Sequence, residues 1–334
     1  MARARRQQEA GFTLVELMIS LTVVSIAIAA AFTMAFSLLN GFRDNRGAVQ
    51  VESTTRIVLD IIAQGVRSAS PGMRDGQLWD TCSGGIIDAI EVTNSSTGPD
   101  ELRVVHASGG ALASMTASAA VVTDGAIVVD SNADFELNIW TPAIVIDPLN
   151  AKAHFIEIRR TSASAVKFET QDLQGSGCAG GAGTSAEETY PAGSLVVRAV
   201  HMNYRVDPPY LMVDPDGAGD EKEIVVAEGI EDMQIAVAVE DESDKTTLTN
   251  IGAAANDDEW HYNVAGEAAA GLLSGKQWRS LRISIVGYTI RDQNASTSSL
   301  RPALEDRPVA STGDGYRRRT FSTIVHLRNF STGI

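Results

Sequence analysis

Residue types that carry catalysis are scarce in this 334-residue chain, which has five histidines and two cysteines. No Gly-x-Ser-x-Gly elbow, His-Glu-x-x-His pair or Cys-x-x-Cys occurs, so the signatures of a serine hydrolase, a helical zinc site and a dithiol centre are missing. The histidines, at 106, 154, 201, 261 and 326, stand singly. Gly271-Leu272-Leu273-Ser274-Gly275-Lys276-Gln277 has one residue too few between its glycines for a phosphate loop, and Gln follows the lysine. Positive charge is also short. The chain has 27 basic against 42 acidic residues, net −15, whereas a nucleic-acid surface needs clustered cations. Arg317-Arg318-Arg319 is a small basic group near the end of the sequence. Two further absences shape the N-terminus: no proline lies between Phe12 and Ala69, and Glu16 is the only charge between Phe12 and Leu39.

What is present begins with that apolar run. Its 28 residues would span about 42 Å as a helix, more than the ~30 Å hydrocarbon core of a bilayer. Arg3, Arg5 and Arg6 precede it and place the N-terminus in the cytoplasm, with the remainder outside. Ser and Thr at 13, 20, 22, 25, 33 and 37, with several alanines, leave small surfaces where helices can approach. A secretory signal ending at Ala27-Ile28-Ala29 or Ala29-Ala30-Ala31 fits the same composition, as does a plain signal anchor. Glu16 weighs against the secretory signal. A carboxylate costs roughly 2.5–3.5 kcal/mol at the bilayer centre, and a residue kept at that cost usually has a task.

Gly11-Phe12-Thr13-Leu14-Val15-Glu16-Leu17-Met18-Ile19-Ser20 resembles the cleavage and methylation site of the type IV prepilin superfamily. The resemblance implies that a membrane peptidase cuts between Gly11 and Phe12 and methylates the new amine. It also implies that Glu16 pairs with the free N-terminus of a neighbouring subunit during filament assembly. Cleavage would remove Arg3, Arg5, Arg6 and Glu9, leaving 24 basic and 41 acidic residues, net −17.

Beyond the run the pattern stays helical but becomes one-sided. Val51, Thr54/Thr55, Val58, Ile61, Ile62, Val66 and Ala69 recur at three- and four-residue steps, with charged residues opposite. Ser70-Pro71-Gly72 should stop this helix, and Gly41 and Gly47 are where it could bend. Short Val- and Ile-rich segments then read as strands, among them Ile86–Val92, Glu101–His106, Phe135–Trp140, Ala143–Ile146, Leu195–Arg205, Met233–Glu240 and Arg279–Ile290. In Arg317–Arg328, Phe321, Thr323, Val325 and Leu327 share one face. Ala107–Ala113 and Asp214–Asp220 read as turn clusters. The expected fold class is α+β: a long N-terminal transmembrane and amphipathic helix packed on a mainly antiparallel β-sheet domain, which the resemblance makes a pilin-like lollipop. Its expected divisions are a leader at 1–11, the transmembrane and assembly helix at 12–40, its amphipathic continuation at 41–70, and a β-rich domain at 71–334. Residues 241–275, rich in Ala, Gly and acids, read as a surface loop or insertion.

The second half narrows the resemblance. Val196–Arg205, Tyr210-Leu211, Glu223–Gln234, Trp278–Ile283 and Tyr316–Asn329 are similar to the PilW type of minor pilin, whose neighbour is the J-type minor pseudopilin of type II secretion. This implies a non-enzymatic structural subunit that primes pilus assembly in a minor-pilin complex and takes a place at or near the tip. Its partners would be the other minor pilins, the major pilin, the inner-membrane assembly platform, the prepilin peptidase and, at the tip, an adhesin. It would be inserted in the inner membrane with its domain in the periplasm, then carried to the cell surface in the pilus. A secretion pseudopilus remains the alternative.

Two local features complete the sequence. Cys82 and Cys178 lie in Gly/Ser loops without a metal-ligand neighbour. Outside the cytoplasm they read as one disulfide worth roughly 4–5 kcal/mol on the chain-entropy model, against the reading of two unpaired thiols. Asp214, Asp216 and Asp220 alternate around a Gly-rich turn and could face calcium, although the twelfth position of an EF-hand loop would be Val225 here. The same residues equally suit a hairpin connection, and no cofactor is otherwise expected.

Overall fold

The helix forms where no proline interrupts it, over Leu14–Arg67. This is a computed structural model, and it describes residues 13–69, 77–80, 85–121, 124–150, 152–171, 189–215, 223–239, 260–264, 278–289 and 299–327. The chain divides into two units, Met1–Gln50 and Val51–Ile334, and helix α1 (Leu14–Arg67) contributes to both. Gly41 and Gly47 are both helical. In the second unit α1 buries Val51, Thr55, Val58, Leu59, Ile62, Ala63 and Val66. The expected period is right, but Ile61 is 40% exposed and Leu59 and Ala63 fill the flank instead. The helix ends as Ser68 turns back, its amide and hydroxyl both reaching the Gln64 carbonyl. Ser70-Pro71-Gly72, the expected stop, lies outside the described residues.

Seventeen strands follow among the described residues. The first six are β1 (Gln77–Asp80), β2 (Gly85–Asp88), β3 (Ile90–Thr93), β4 (Glu101–Ser114), β5 (Ala119–Ala120) and β6 (Ala126–Val128). Next come β7 (Trp140–Asp147), β8 (Lys152–Arg159), β9 (Lys167–Gln171), β10 (Thr189–Tyr190), β11 (Leu195–Asp207) and β12 (Tyr210–Asp214). The last are β13 (Ile224–Glu228), β14 (Ile230–Val239), β15 (Trp260–His261), β16 (Trp278–Tyr288) and β17 (Arg318–His326). An eleven-stranded sheet runs β13-β12-β11-β7-β8-β1-β2, with β4 also on β11 and β9 also on β8. Its pairs are antiparallel except β1 with β8. A four-stranded antiparallel sheet runs β15-β14-β16-β17, and β5 pairs with β10. The expected helix and mostly antiparallel sheet are therefore both present.

The pleat explains how one sheet serves two cores. Ala143-Ile144-Val145-Ile146 is apolar at every position because β7 is covered on both faces. Ile144 and Ile146 join the main core with Val58, Ile62 and Val66 of α1, Ile235 and Val237 of β14, and Ile283 and Ile285 of β16. Ala143 and Val145 join a second core with Ile127, Phe135, Ile156 and Phe168. In β17, Phe321, Thr323, Val325 and Leu327 do turn inward relative to their neighbours.

Three expectations fail. Phe135–Trp140 is not a strand: Phe135 donates its amide to Asn132 and Asn138 sits at φ 62°, so the segment loops before β7 begins at Trp140. Ala107–Ala113 is not a turn but part of β4, which passes a register shift against β11 with Gly110 at φ 119°. Residues 241–275 are not wholly a surface loop: β15 adds to β14, and Trp260 is buried over Ala236 and Ala238.

Candidate functional site

The apolar half of α1 starts with a helix cap that local chemistry dictates. Thr13 is the N-cap: its carbonyl accepts the first helical bond, from Leu17, at 3.2 Å. The Thr13 hydroxyl accepts the Glu16 amide at 3.3 Å, and Glu16 Oε2 accepts the Thr13 amide at 3.4 Å. This reciprocal pair is a capping box, Thr-x-x-Glu, with the carboxylate also at the positive end of the helix. The signal is present in the sequence at Thr13-Leu14-Val15-Glu16, in the stretch that carries the prepilin resemblance. Cap and assembly contact are compatible, since the cap holds the carboxylate at the very end of the helix.

Downstream, the polar side chains in the apolar run are satisfied within the helix. Ser20, Thr22, Ser25 and Thr33 hydroxyls donate to the carbonyls of Glu16, Ile19, Leu21 and Ala29 at 2.8–2.9 Å. Leu14, Ile19, Val24, Ile28, Phe32 and Phe36 are all exposed. Among the described residues α1 is the one helix long and apolar enough to cross a membrane. Gly11 and Phe12, the expected cleavage site, lie outside the described residues, as do Cys82, Cys178, Asp216 and Asp220. Asp214 is described: it is buried at the end of β12, in register with Asn203. No group of three metal-ligating side chains occurs among the described residues.

The basic triplet is divided by the strand, with Arg317 and Arg319 exposed and Arg318 turned inward. Arg318 is largely buried and holds Glu231 at 2.5 Å and Asp314 at 2.7 Å, which keeps its guanidinium above even its ordinary range. The sequence also gave no warning of a second polar centre. Asp232, fully buried on β14, receives Arg301 at 3.2 Å and Arg307 at 2.6 Å. Asp100 beside it accepts the amides of Ser95 and Ile235, both at 2.7 Å. Burial still pushes Asp100 from 3.8 up to about 8, outweighing those two bonds, with Asp306 and Asp232 adding repulsion. The cluster pins loops 94–100 and 301–307 to β14 and has the character of an internal clamp.

An apolar helix capped at Thr13, with a lone carboxylate in its first turn, leads into a mostly antiparallel sheet, the arrangement expected from the resemblance to type IV prepilins. Residues 197–329 match the family model described as Type IV Pilus-assembly protein W, and residues 6–32 match the prokaryotic N-terminal methylation motif. Both matches bear out the resemblance to the prepilin superfamily and, within it, to the PilW type of minor pilin. No curated protein sequence matches the chain significantly. Among solved structures it is similar to a type IV-like pilin from Thermus thermophilus, at 10% identity and a TM-score of 0.35, covering 84% of this chain and 98% of that one. The helix and the methylation motif together fit a membrane-anchored pilin.

Proposed function

We propose that this chain is a minor pilin, a non-enzymatic subunit that primes type IV pilus assembly with other minor pilins and sits at or near the tip. Residues 1–11 are its leader, cut between Gly11 and Phe12 with methylation of the Phe12 amine. Residues 12–40 anchor it in the inner membrane with the N-terminus cytoplasmic, 41–70 continue the helix, and 71–334 form the periplasmic domain. Its partners are the major pilin, the assembly platform, the prepilin peptidase and a tip adhesin.

The observation that carries this reading is Glu16, the single charge between Phe12 and Leu39, in the exposed apolar part of α1 and held by Thr13 at the helix's first turn. In assembly the Phe12 ammonium of the adjoining subunit meets that carboxylate in a low-dielectric bundle, which offsets the desolvation of both. Small residues along the run let the helices approach. Mass spectrometry of the membrane-extracted protein tests the processing: N-methyl-Phe12 as the first residue is expected, and a start at Ala30 or Phe32 overturns it. Deleting the gene tests the system. Loss of pili is expected, whereas normal pili with a defect in protein export would assign the chain to a secretion pseudopilus.

A further inference from the structure

Residues 299–314 form a flap over the face of β14 and β16 that is turned away from the main core. The flap is a narrow hairpin. Ser299 and Asp314 exchange amide–carbonyl bonds at its base, and Leu304 and Arg307 do so at its tip. None of its residues belongs to a hydrophobic cluster, and Leu304 is its only buried apolar side chain. Charge fastens it instead. Arg318 holds the base, donating to the Ser299 carbonyl at 3.0 Å and to the Asp314 carboxylate at 2.7 Å. At the tip Glu305 receives Arg282 at 2.9 and 2.5 Å and the Ser284 hydroxyl at 2.7 Å. Glu305 does this at φ 49°, a strained setting for a residue other than glycine. Between base and tip, Arg301 and Arg307 reach Asp232, and Asn94 donates to Asp306 at 2.8 Å.

The charges of this middle fastening do not balance. Asp100, Asp232 and Asp306 are 0%, 0% and 3% exposed, and they face the two guanidiniums of Arg301 and Arg307. Both guanidiniums contact Asp232, whereas Asp100 meets only the backbone amides of Ser95 and Ile235. The neighbouring charges are already paired, Glu231 with Arg318 and Glu305 with Arg282. An excess negative charge is expensive in a buried group, so one carboxyl keeps a proton. Asp100, without a cation among the described residues, is where that proton sits. The upward push of burial on Asp100, to about 8, agrees with this count.

We propose that this proton is the latch of the flap: with Asp100 protonated, residues 301–310 lie closed on the sheet, and its ionisation lets them swing out about the base held by Arg318. Opening brings Asp100 into water, where it ionises near its ordinary 3.8. The closed form is therefore held fully below about pH 4 and loses its advantage about tenfold per pH unit up to about 8, with no further loss above. The swing releases Glu305 from its strained contact and uncovers Arg282 and Ser284 on β16.

A glutamate-specific protease reads this opening at the Glu305–Asp306 bond of the full-length protein in detergent, from pH 5 to 9. Cleavage after the exposed Glu136 corrects for the protease's own pH dependence, and cleavage after Glu157 of β8 marks unfolding of the large sheet. The Glu305/Glu136 ratio should rise about tenfold per pH unit between pH 5 and 7 and level off near 8, with Glu157 uncut. In Asp100→Asn the rise should vanish; the slope is read rather than the level, so a general loss of stability does not mimic it. In Asp306→Asn two carboxyls face two guanidiniums, and the ratio should level off at a lower pH. A flat ratio in the unaltered protein, the same slope in Asp100→Asn, or cleavage at Glu305 only in step with Glu157 overturns the proposal.

Discussion

The capping contact of Glu16 and the assembly role proposed for it can be separated by one substitution. A capping box accepts Gln at the third helical position as well as Glu, since either oxygen can receive the N-cap amide. Gln carries no charge for a neighbouring ammonium. Glu16→Gln should therefore keep helix start, insertion and cleavage but lose incorporation into filaments, and immunoblots of sheared pili against membranes would show this. Glu16→Ala loses the carboxylate half of the capping box together with the charge, while the Thr13 hydroxyl still caps the residue-16 amide. Full incorporation of the Gln variant would rule out the electrostatic mechanism.

Asp100 sets a second expectation at the same scale. Its folded-state pKa, about 8, lies above its ordinary 3.8, so between those values the folded form binds a proton that the unfolded form has released. Stability from this group is complete below about pH 4 and is lost as pH rises toward 8, with no further loss above. Asp232 is also raised by burial, against the pull of Arg307 and Arg301, and adds a slope of the same sign. In Asp100→Asn the decline of the urea midpoint from pH 5 to 8 should become shallower. The variant should also be less stable at pH 5 by about 1–3 kcal/mol, because its amide group faces a backbone N–H where a carboxyl oxygen accepted it. An unchanged slope would mean that Asp100 is ionised in the folded protein.

Elements meet where side chains are missing. A Cβ on Gly287 of β16 would collide with the Thr55 hydroxyl and come within 2.8 Å of Val51 Cγ1, so this glycine is where helix and strand touch. Thr55 is itself fully buried and its hydroxyl is used by the Val51 carbonyl at 2.7 Å, leaving it no room to turn away. Gly287→Val should cost about 1–3 kcal/mol of unfolding free energy through overpacking. Urea denaturation followed by circular dichroism measures it, and a neutral result would show that the helix can shift on the sheet.

The same contact shows what a sequence conveys and what it does not. The helix was legible because 3.6-residue spacing and the lack of proline are local, and β17 because its alternation is local too. Gly287 looked like any strand glycine, since the reason for it lies on α1 more than 200 positions away. Ser108-Gly109-Gly110 read as a turn, yet pairing with β11 overrides weak local preference and uses Gly110 for the irregularity. Trp260 stands in an acidic, small-residue stretch, and it is its strand partner Ala238, with Ala236 on the same face, that explains its burial. At the start of α1 the capping box Thr13-x-x-Glu16 is a local pattern and stands in the sequence itself. The clamp of Asp100, Asp232, Arg301 and Arg307 joins segments far apart in sequence, so no window along the chain could contain it.

On the scale of the molecule, the boundary between the two units falls inside the helix, at Gln50/Val51. Its position has an energetic meaning. Val58, Leu59, Ile62 and Val66 are buried in the main core alongside strands of both larger sheets, so the last four turns of α1 belong to the domain rather than to the anchor. Burying four such side chains is worth roughly 1.5–3 kcal/mol each, an upper estimate given residual burial in unfolded chains. The total, roughly 6–12 kcal/mol, rivals the whole stability of a typical domain at about 5–15 kcal/mol. A chain beginning at Val51 should therefore fold alone, without detergent, and unfold in one cooperative transition. A chain beginning at Gln77 should not, because the same core would open to water along the groove the helix fills. Scanning calorimetry with near-ultraviolet circular dichroism of the two fragments decides the matter: equal cooperative transitions in both would place the core's stability in the sheets alone and make the helix an accessory.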